Sequence, residues 1–97
     1  MKTLLAILGL TMMLNAADGS ALYTKCVACH GAKGEKTALG KSEAITGWKA
    51  DKTLDALKEY KAGTRNNKGM GPLMKGQVAA MNDADMKALA EYIATLK

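Results

Sequence analysis

The sequence predicts an all-α protein with three or four helices in one small domain. Its 97 residues suit a single domain, and its 48% apolar and 24% charged content is typical of a globular protein. Apolar residues recur at helical spacing in three segments, and no segment alternates as a strand does. One Trp and three Tyr, without any Phe, are few aromatic residues for a core of this size. The interior must therefore be filled by something other than aromatic side chains.

Residues 1–16 have the order of a secretory signal peptide. Lys2 gives the start a positive charge, an apolar stretch runs from Leu4 to Leu14, and small residues follow it. This stretch is too short to anchor the chain in a membrane, and a buried N-terminal helix is the alternative interpretation. We expect cleavage after Ala16 or the next residue, export to the periplasm, and a mature domain of residues 17–97.

The first helix of the mature domain is predicted over residues 18–29. Leu22, Cys26 and Cys29 fall on one stripe at helical spacing, and Asp18 or a nearby Ser can cap the N-terminus. Residues 31–47 contain four glycines and show no sustained period, which predicts a loop.

Two further helices follow the loop. The second is predicted over residues 51–61, with Asp51 as its cap and Gly63 as its stop. A polar turn is expected through Pro72, and a short extra helix near residues 74–80. Asn82 is expected to cap the last helix, which should run to residue 96. Methionines at 81 and 86 are expected to pack on each other as a hydrophobic staple.

The motif that carries chemistry is Cys26-Val27-Ala28-Cys29-His30, the C-x-x-C-H signature of c-type haem attachment. On a helix, positions i, i+3 and i+4 share a face, so the two thiols and the imidazole point the same way. The thiols of Cys26 and Cys29 can add to the two vinyl groups of a porphyrin. His30 then lies under the iron as its proximal ligand.

Three other interpretations of the motif have less support. A thioredoxin-like redox pair needs a βαβ context, which the sequence does not predict. A zinc site usually takes four ligands, and the chain has two Cys and one His in total. A plain disulfide between Cys26 and Cys29 would leave His30 without a role. The sequence therefore favours one covalent haem c as the cofactor.

The chain resembles the small single-haem bacterial cytochromes c of class I, nearest the cytochrome c-553 type. The residues that carry the resemblance span nearly the whole mature chain: Asp18-Gly19, Leu22-Tyr23, the haem motif with Gly31, Tyr60, Gly63, Arg65, Met74, Asn82-Asp83, Asp85-Met86, Leu89-Ala90 and Tyr92-Ile93. The resemblance implies the class I cytochrome c fold, with three to four helices wrapped around one covalently attached haem. It also implies that the first and last helices cross at four residues: Gly19, Tyr23, Leu89 and Tyr92.

The resemblance also bears on the orientation of His30. Family members commonly carry a Pro in the loop after the motif, near Glu43 here, and its carbonyl orients the ligand His. This loop has no Pro. We therefore expect another backbone carbonyl to accept a hydrogen bond from Nδ1–H of His30.

The sixth ligand of the iron is expected to be a methionine thioether, a soft donor that raises the redox potential. Met81 and Met86 fit the core better, whereas Met70 and Met74 lie in or just after the Gly-rich turn. In the family, the ligand Met precedes the start of the last helix by eight or nine residues. This spacing favours Met74, with Met70 as the alternative.

Two side-chain ligands leave no position on the iron for a substrate, so we expect an electron carrier and not an enzyme. The carrier would shuttle single electrons between respiratory reductase and oxidase partners in the periplasm. The alternative is a haem-based sensor or enzyme accessory subunit, in which Met74 leaves the iron. Carbon monoxide would then bind readily to the reduced protein, whereas a carrier resists it. A subunit of a larger oxidoreductase is a third possibility.

The charge balance indicates the kind of partner. The chain has 14 basic and 9 acidic residues, a formal net charge of +5. Several lysines lie in segments expected around the haem: Lys25, Lys33, Lys36, Lys41, Lys68 and Lys75. They could steer the protein to acidic docking faces on a membrane reductase, a terminal oxidase or a peroxidase, or they could serve solubility alone. We expect a monomer with no membrane span and no nucleic-acid partner.

Overall fold

A computed structural model describes residues 18–41, 43–66 and 69–96 of the chain. All regular structure in these three stretches is helical, as the sequence predicts, and none of their residues lies in a strand. The predicted signal peptide, residues 1–16, lies outside the described residues. Within the three stretches, no helix is both long enough and apolar enough to cross a membrane.

The first predicted helix is present as three consecutive helical pieces. They are α1 (Gly19–Tyr23), a 3₁₀ turn (Thr24–Cys26) and α2 (Val27–His30). Asp18 caps α1 as predicted, because its carboxylate accepts hydrogen bonds from the backbone N–H and the hydroxyl of Ser20. At the other end, Gly31 takes a φ of 85° and ends α2 directly after His30.

The predicted loop follows α2 and contains one short helical turn. This turn, α3 (Ala38–Lys41), is interrupted because Leu39 in its middle has left-handed backbone angles. The loop folds back on itself at Gly34, whose carbonyl accepts hydrogen bonds from the N–H groups of Ile45 at 2.8 Å and Thr46 at 2.9 Å. These two bonds return the chain towards the start of the next helix.

The second predicted helix is α4 (Ala50–Ala62). The prediction that Asp51 caps it is wrong, because the helix begins one residue earlier and Lys49 occupies the N-cap position. Asp51 lies in the first turn instead, where a negative charge interacts favourably with the helix dipole. Gly63 ends the helix as predicted, in the left-handed conformation with a φ of 81°.

The predicted short helix is α5 (Gly71–Val78), and it begins earlier than expected. The polar turn is correspondingly shorter than the prediction that carried it through Pro72. Pro72 lies in the first turn of α5, where its missing N–H would have had no partner within the helix.

The last helix is α6 (Asp83–Ala94), which ends two residues before the predicted end. Asn82 caps it as predicted. Its side chain accepts a hydrogen bond from the N–H of Asp85 at 2.8 Å, and the Asp85 carboxylate accepts one from the N–H of Asn82 at 3.3 Å. This reciprocal pair is a capping box, which fixes the entry of the chain into the helix.

The core forms where α6 packs against α1 and α4. Helix α5 also packs against α4. Both methionines that were predicted to fill the core, Met81 and Met86, do so. The buried residues of this cluster are Tyr23, Leu57, Val78, Met81, Met86, Leu89, Ala90, Ile93 and Leu96.

Helices α1 and α6 cross at close range, as the family resemblance implies. The rings of Tyr23 and Tyr92 lie 5.6 Å apart with a 50° tilt, and Leu89 is buried beside them. A Cβ atom on Gly19 would lie 2.8 Å from the Cβ of Tyr92 and would also meet the carbonyl oxygen of Ala88. Only a glycine fits at this position without a shift of one helix.

Replacing Gly19 with Ala is therefore expected to lower the free energy of unfolding of the holoprotein by about 2 kcal/mol, as overpacking of a close contact does. Thermal or denaturant unfolding measures the change. Gly76→Ala is the matched control, because nothing lies within 4 Å of a Cβ at this helical position. Equal stability of the two variants would contradict the close crossing.

Candidate functional site

A cavity of about 500 Å³ is lined by residues of every helix and of the loop. Its volume lies within the range of roughly 300–1,000 Å³ that is typical of pockets for cofactors and other small molecules. The wall is mostly apolar, and much of it is shared with the core. The apolar lining includes Tyr23, Ile45, Ala56, Leu57, Val78, Met81, Leu89 and Ile93.

All the site residues predicted from the sequence line this cavity: Cys26, Cys29, His30, Met70 and Met74. The first three come from the 3₁₀ turn and α2, and the two methionines come from the start of α5. Both cysteines are free thiols and partly buried. Burial raises the pKa of the Cys26 thiol. The fold thus brings the haem motif and both candidate thioethers to one place.

His30 is buried at the end of α2, with 9% of its surface exposed. Burial lowers the pKa of its imidazole and so favours the neutral ring, the form that binds a metal. Its Nδ1 atom is buried without a hydrogen-bond partner among the described residues. The backbone acceptor that we expected for Nδ1–H is therefore not found in this part of the chain.

The backbone around His30 is held from two sides. The hydroxyl of Tyr23 donates a hydrogen bond to the carbonyl of Gly31 at 2.6 Å, and the N–H of Lys36 donates to the carbonyl of His30 at 2.9 Å. Burial raises the pKa of Tyr23 to about 12, so the phenol remains a donor throughout the neutral range. These two bonds fix the end of α2 that presents the imidazole.

Met70 and Met74 lie four residues apart at the start of α5, Met70 at its N-cap and Met74 within the helix. The N–H of Met74 donates to the carbonyl of Met70 at 3.1 Å, and positions i and i+4 share a helix face. Met70 is buried at the N-cap, whereas Met74 is partly buried within the first turns. The geometry places both thioethers on the cavity wall.

Two further polar residues of the cavity were not singled out as site residues in the sequence. Thr53 and Arg65 line it, and Thr53 Oγ1 and Arg65 Nε are buried without a hydrogen-bond partner in the described stretches. Thr53 falls on the inner stripe of α4, where its hydroxyl interrupts an apolar pattern. Arg65 is one of the residues that carry the family resemblance. The sequence alone does not predict that its side chain lies against Glu59 and Tyr60 of α4.

A zinc site was one alternative for the haem motif. In residues 18–41, 43–66 and 69–96, no group of three or more His, Cys, Asp or Glu side chains is arranged to hold a metal ion. The described residues thus offer no ligand set of the kind that zinc requires.

Comparison with known proteins identifies the family of this chain. The family model for cytochrome c matches residues 16–97. Cytochrome c-553 of Nitratidesulfovibrio vulgaris (strain Miyazaki F) is 43% identical over 81 residues, which cover 84% of this chain and 78% of that protein. Cytochrome c-553 of Helicobacter pylori (strain 26695) is 41% identical over 93 residues, covering 96% and 93%.

The chain therefore belongs to the cytochrome c family, whose members bind haem c covalently and transport electrons. The resemblance to the cytochrome c-553 type is confirmed. A more distant relative is the thiosulfate dehydrogenase electron acceptor of Stutzerimonas stutzeri, 32% identical over 94 residues that cover 88% of this chain and 42% of that protein.

The residues of the cavity fit a haem. An apolar wall suits the porphyrin, and two free thiols and one neutral imidazole come from a single short stretch. Three polar atoms are buried there without a partner in the described part of the chain: His30 Nδ1, Thr53 Oγ1 and Arg65 Nε. A buried polar group without a partner costs about 1–3 kcal/mol, so such groups are typical of a site that a polar ligand completes.

Proposed function

We propose that the protein is a periplasmic one-electron carrier with a His/Met-ligated haem c, which shuttles electrons between respiratory reductase and oxidase partners. The observation that carries this proposal is the convergence of Cys26, Cys29, His30 and the methionines of α5 on one apolar cavity. Bound haem supplies the reversible Fe(II)/Fe(III) couple.

Each of these residues has a defined task in the proposal. Cys26 and Cys29 form the thioether bonds, and His30 provides the proximal nitrogen. Met74 provides the distal sulfur, because it lies eight residues before Asn82, the spacing that the family uses. Met70 is the alternative ligand.

The same arrangement favours a carrier over an enzyme. His30 and Met74 would hold the metal with two side-chain ligands, which would leave no position for a substrate, and the mostly apolar wall would disfavour water next to it. The hydrogen bonds of Tyr23 and Lys36 hold the backbone at His30 in place. A site that moves little between two oxidation states has a small reorganisation to overcome during electron transfer.

Optical spectroscopy of the purified holoprotein tests the proposal. We expect the absorption bands of a low-spin c-type haem, a sulfur-to-iron charge-transfer band in the oxidised form, and reversible one-electron titration. We also expect the reduced protein to resist carbon monoxide at neutral pH. Colourless material from cells with an intact maturation system, or ready binding of carbon monoxide, would contradict the proposal.

The mouth of the cavity has features that suit a redox partner. Leu39 and Leu73 line the cavity and are 66% and 45% exposed, and Lys25, which also lines the cavity, is exposed. Lys36 and Lys41 are exposed on the loop that carries Leu39, and Lys68 lies outside the described residues. Exposed apolar side chains at the cavity, together with exposed lysines, favour a partner with an acidic docking face.

Electron transfer to such a partner is expected to slow as salt rises. The association rate should fall about tenfold or more between 10 and 300 mM NaCl, since salt screens long-range attraction. Stopped-flow oxidation by an isolated membrane oxidase measures it. Lys25→Gln removes an exposed lysine that lines the cavity and should reduce the salt dependence, whereas Lys58→Gln removes an exposed lysine of α4 that does not line it and should not. A rate independent of salt would contradict this docking mode.

A further inference from the structure

We propose that Lys61 anchors the C-terminal end of α5 to α4 through one hydrogen bond, and that this contact keeps Met74 bound to the haem iron. The inference rests on the proposed function, in which Met74 is the distal ligand. It assigns a positioning role to a lysine that does not line the cavity and belongs neither to the haem motif nor to the residues that carry the family resemblance.

The side chain of Lys61 reaches out of its own helix. It lies in the last turn of α4, where a basic side chain ordinarily interacts with the free carbonyls of the helix end. Here the N–H of Gly63 donates to the carbonyls of Glu59 and Tyr60 instead. The partly buried ammonium group of Lys61 donates to the backbone carbonyl of Met81, 20 residues further along the chain. The lysine thus joins two segments of the fold.

The carbonyl that accepts this bond lies in the turn between α5 and α6. The N–H of Met81 donates to the carbonyl of Val78, the last residue of α5, at 3.0 Å. The next residue, Asn82, caps α6. Met81 is 3% exposed, and its side chain belongs to both the core and the cavity wall. A bond to the Met81 carbonyl therefore fixes the point at which the chain leaves α5.

Helix α5 depends on such contacts because it is short. Its 8 residues are fewer than the roughly 12–15 that an isolated helix needs to be stable in water. At Gly76, an added Cβ would meet nothing within 4 Å, so this side of the helix is open. The N-terminal end is held by the side chain of Asn66, which accepts a hydrogen bond from the N–H of Gly71 at 2.8 Å. Lys61 holds the opposite end.

The position of Met74 connects this contact to the haem. Met74 lies in α5 between the two held ends, and it lines the cavity. A segment with few packing contacts opens locally more often than the whole protein unfolds. Opening of α5 would take the thioether away from the iron, so the Lys61 bond should determine how often the distal position is free. A hydrogen bond from a charged donor is roughly twice as strong as a neutral one, so its loss should have a larger effect than loss of the Asn66 bond.

Binding of added imidazole to the oxidised holoprotein tests the proposal. Imidazole can bind the iron only after Met74 leaves it, so at high imidazole concentration the binding rate measures the opening of α5. Lys61→Met removes the donor and keeps the apolar stem. It should raise this rate about tenfold, the effect of losing one charge-assisted hydrogen bond from the closed state. Lys61→Arg keeps a charged donor and should stay within about threefold of the natural rate.

Two controls separate this role from a general effect of charge or stability. Lys58→Met removes an exposed lysine of α4 that has no hydrogen bond or ion pair within the described stretches. It should change the imidazole rate less than about twofold, because exposed charges contribute little. Gly19→Ala lowers the stability through the crossing of α1 and α6, which does not include α5, and should leave the imidazole rate unchanged.

Hydrogen exchange of the holoprotein gives a second measurement without an added ligand. The N–H of Met74 donates to the carbonyl of Met70 at 3.1 Å, and the N–H of Met81 closes the turn after α5. Both should exchange about tenfold faster in Lys61→Met and at the natural rate in Gly19→Ala, because only the first variant promotes local opening of α5. If Lys61→Met yields no holoprotein, Lys61→Gln, whose side chain is shorter and uncharged, takes its place in both measurements.

The proposal is overturned if the lysine variant binds imidazole at the natural rate or leaves the exchange of these two amides unchanged. It is also overturned if Gly19→Ala accelerates imidazole binding as much as the lysine variant does, because any loss of stability would then open α5.

These outcomes are distinct from failure of the proposed function. An oxidised natural protein without a sulfur-to-iron charge-transfer band refutes the His/Met assignment before any rate is measured. A normal band, together with a Lys61→Met variant that behaves as the natural protein does, refutes this inference alone.

Discussion

Replacing Met74 with Ala is expected to lower the midpoint potential of the haem by at least ~0.1 V and to abolish the sulfur-to-iron charge-transfer band. A thioether stabilises Fe(II), and axial ligands set haem potentials over a range of about 0.8 V. The variant should also bind carbon monoxide in its reduced form, because the distal position is then open. Spectra of both oxidation states and a potentiometric titration measure the three effects together.

Met70→Ala is the matched control for this experiment. Met70 lines the same cavity one turn earlier, so its loss removes a similar apolar volume from the wall. We expect it to keep the charge-transfer band and to change the potential far less. If Met70→Ala loses the band and Met74→Ala retains it, the two assignments must be exchanged.

The double substitution of Cys26 and Cys29 by Ser is expected to abolish covalent attachment of the haem. Serine hydroxyls do not form the thioether bonds, so acidified organic solvent should extract the pigment that natural holoprotein retains. Mass spectrometry should show the polypeptide mass without the haem. The chain should also lose most of its stability, because a core of this size alone rarely supplies more than about 3–5 kcal/mol.

Val27→Ala is the control within the same motif. Val27 lies between the two cysteines, is 37% exposed and does not line the cavity. It should retain the haem in acidified solvent. Extraction of pigment from the natural protein, or covalent haem in the double variant, would rule out attachment through these thiols.

Much of the fold was predictable because its signals are local. Gly63 ends α4, and Asn82 caps the start of α6. A left-handed glycine and a short polar side chain allow the unpaired backbone groups at a helix end to form hydrogen bonds within a few residues. The start of α5 was missed because Pro72 indicates a turn and a first helical turn equally well. Asp51 was wrongly predicted as the cap of α4 for a similar reason, because acidic residues suit both the cap and the first turn.

Some site residues could likewise be predicted from local spacing, whereas others reach the cavity only through tertiary packing. The haem motif is compact, so three side chains within five residues could be placed on one face from their spacing alone. Thr53 and Arg65 line the cavity through the packing of α4 and the return of the chain after Gly63, which no local pattern specifies. Nδ1 of His30 has no partner among the described residues, which no local pattern specifies either.

The shared wall of the cavity and the core has a consequence for the life of the protein in the cell. Six side chains belong to both: Tyr23, Leu57, Val78, Met81, Leu89 and Ile93. A polypeptide that has not yet received its haem exposes these apolar groups to proteases, and marginal stability translates directly into turnover. Chains without haem are therefore expected to be degraded preferentially. The abundance of the holoprotein should follow the supply of haem more closely than the rate of polypeptide synthesis.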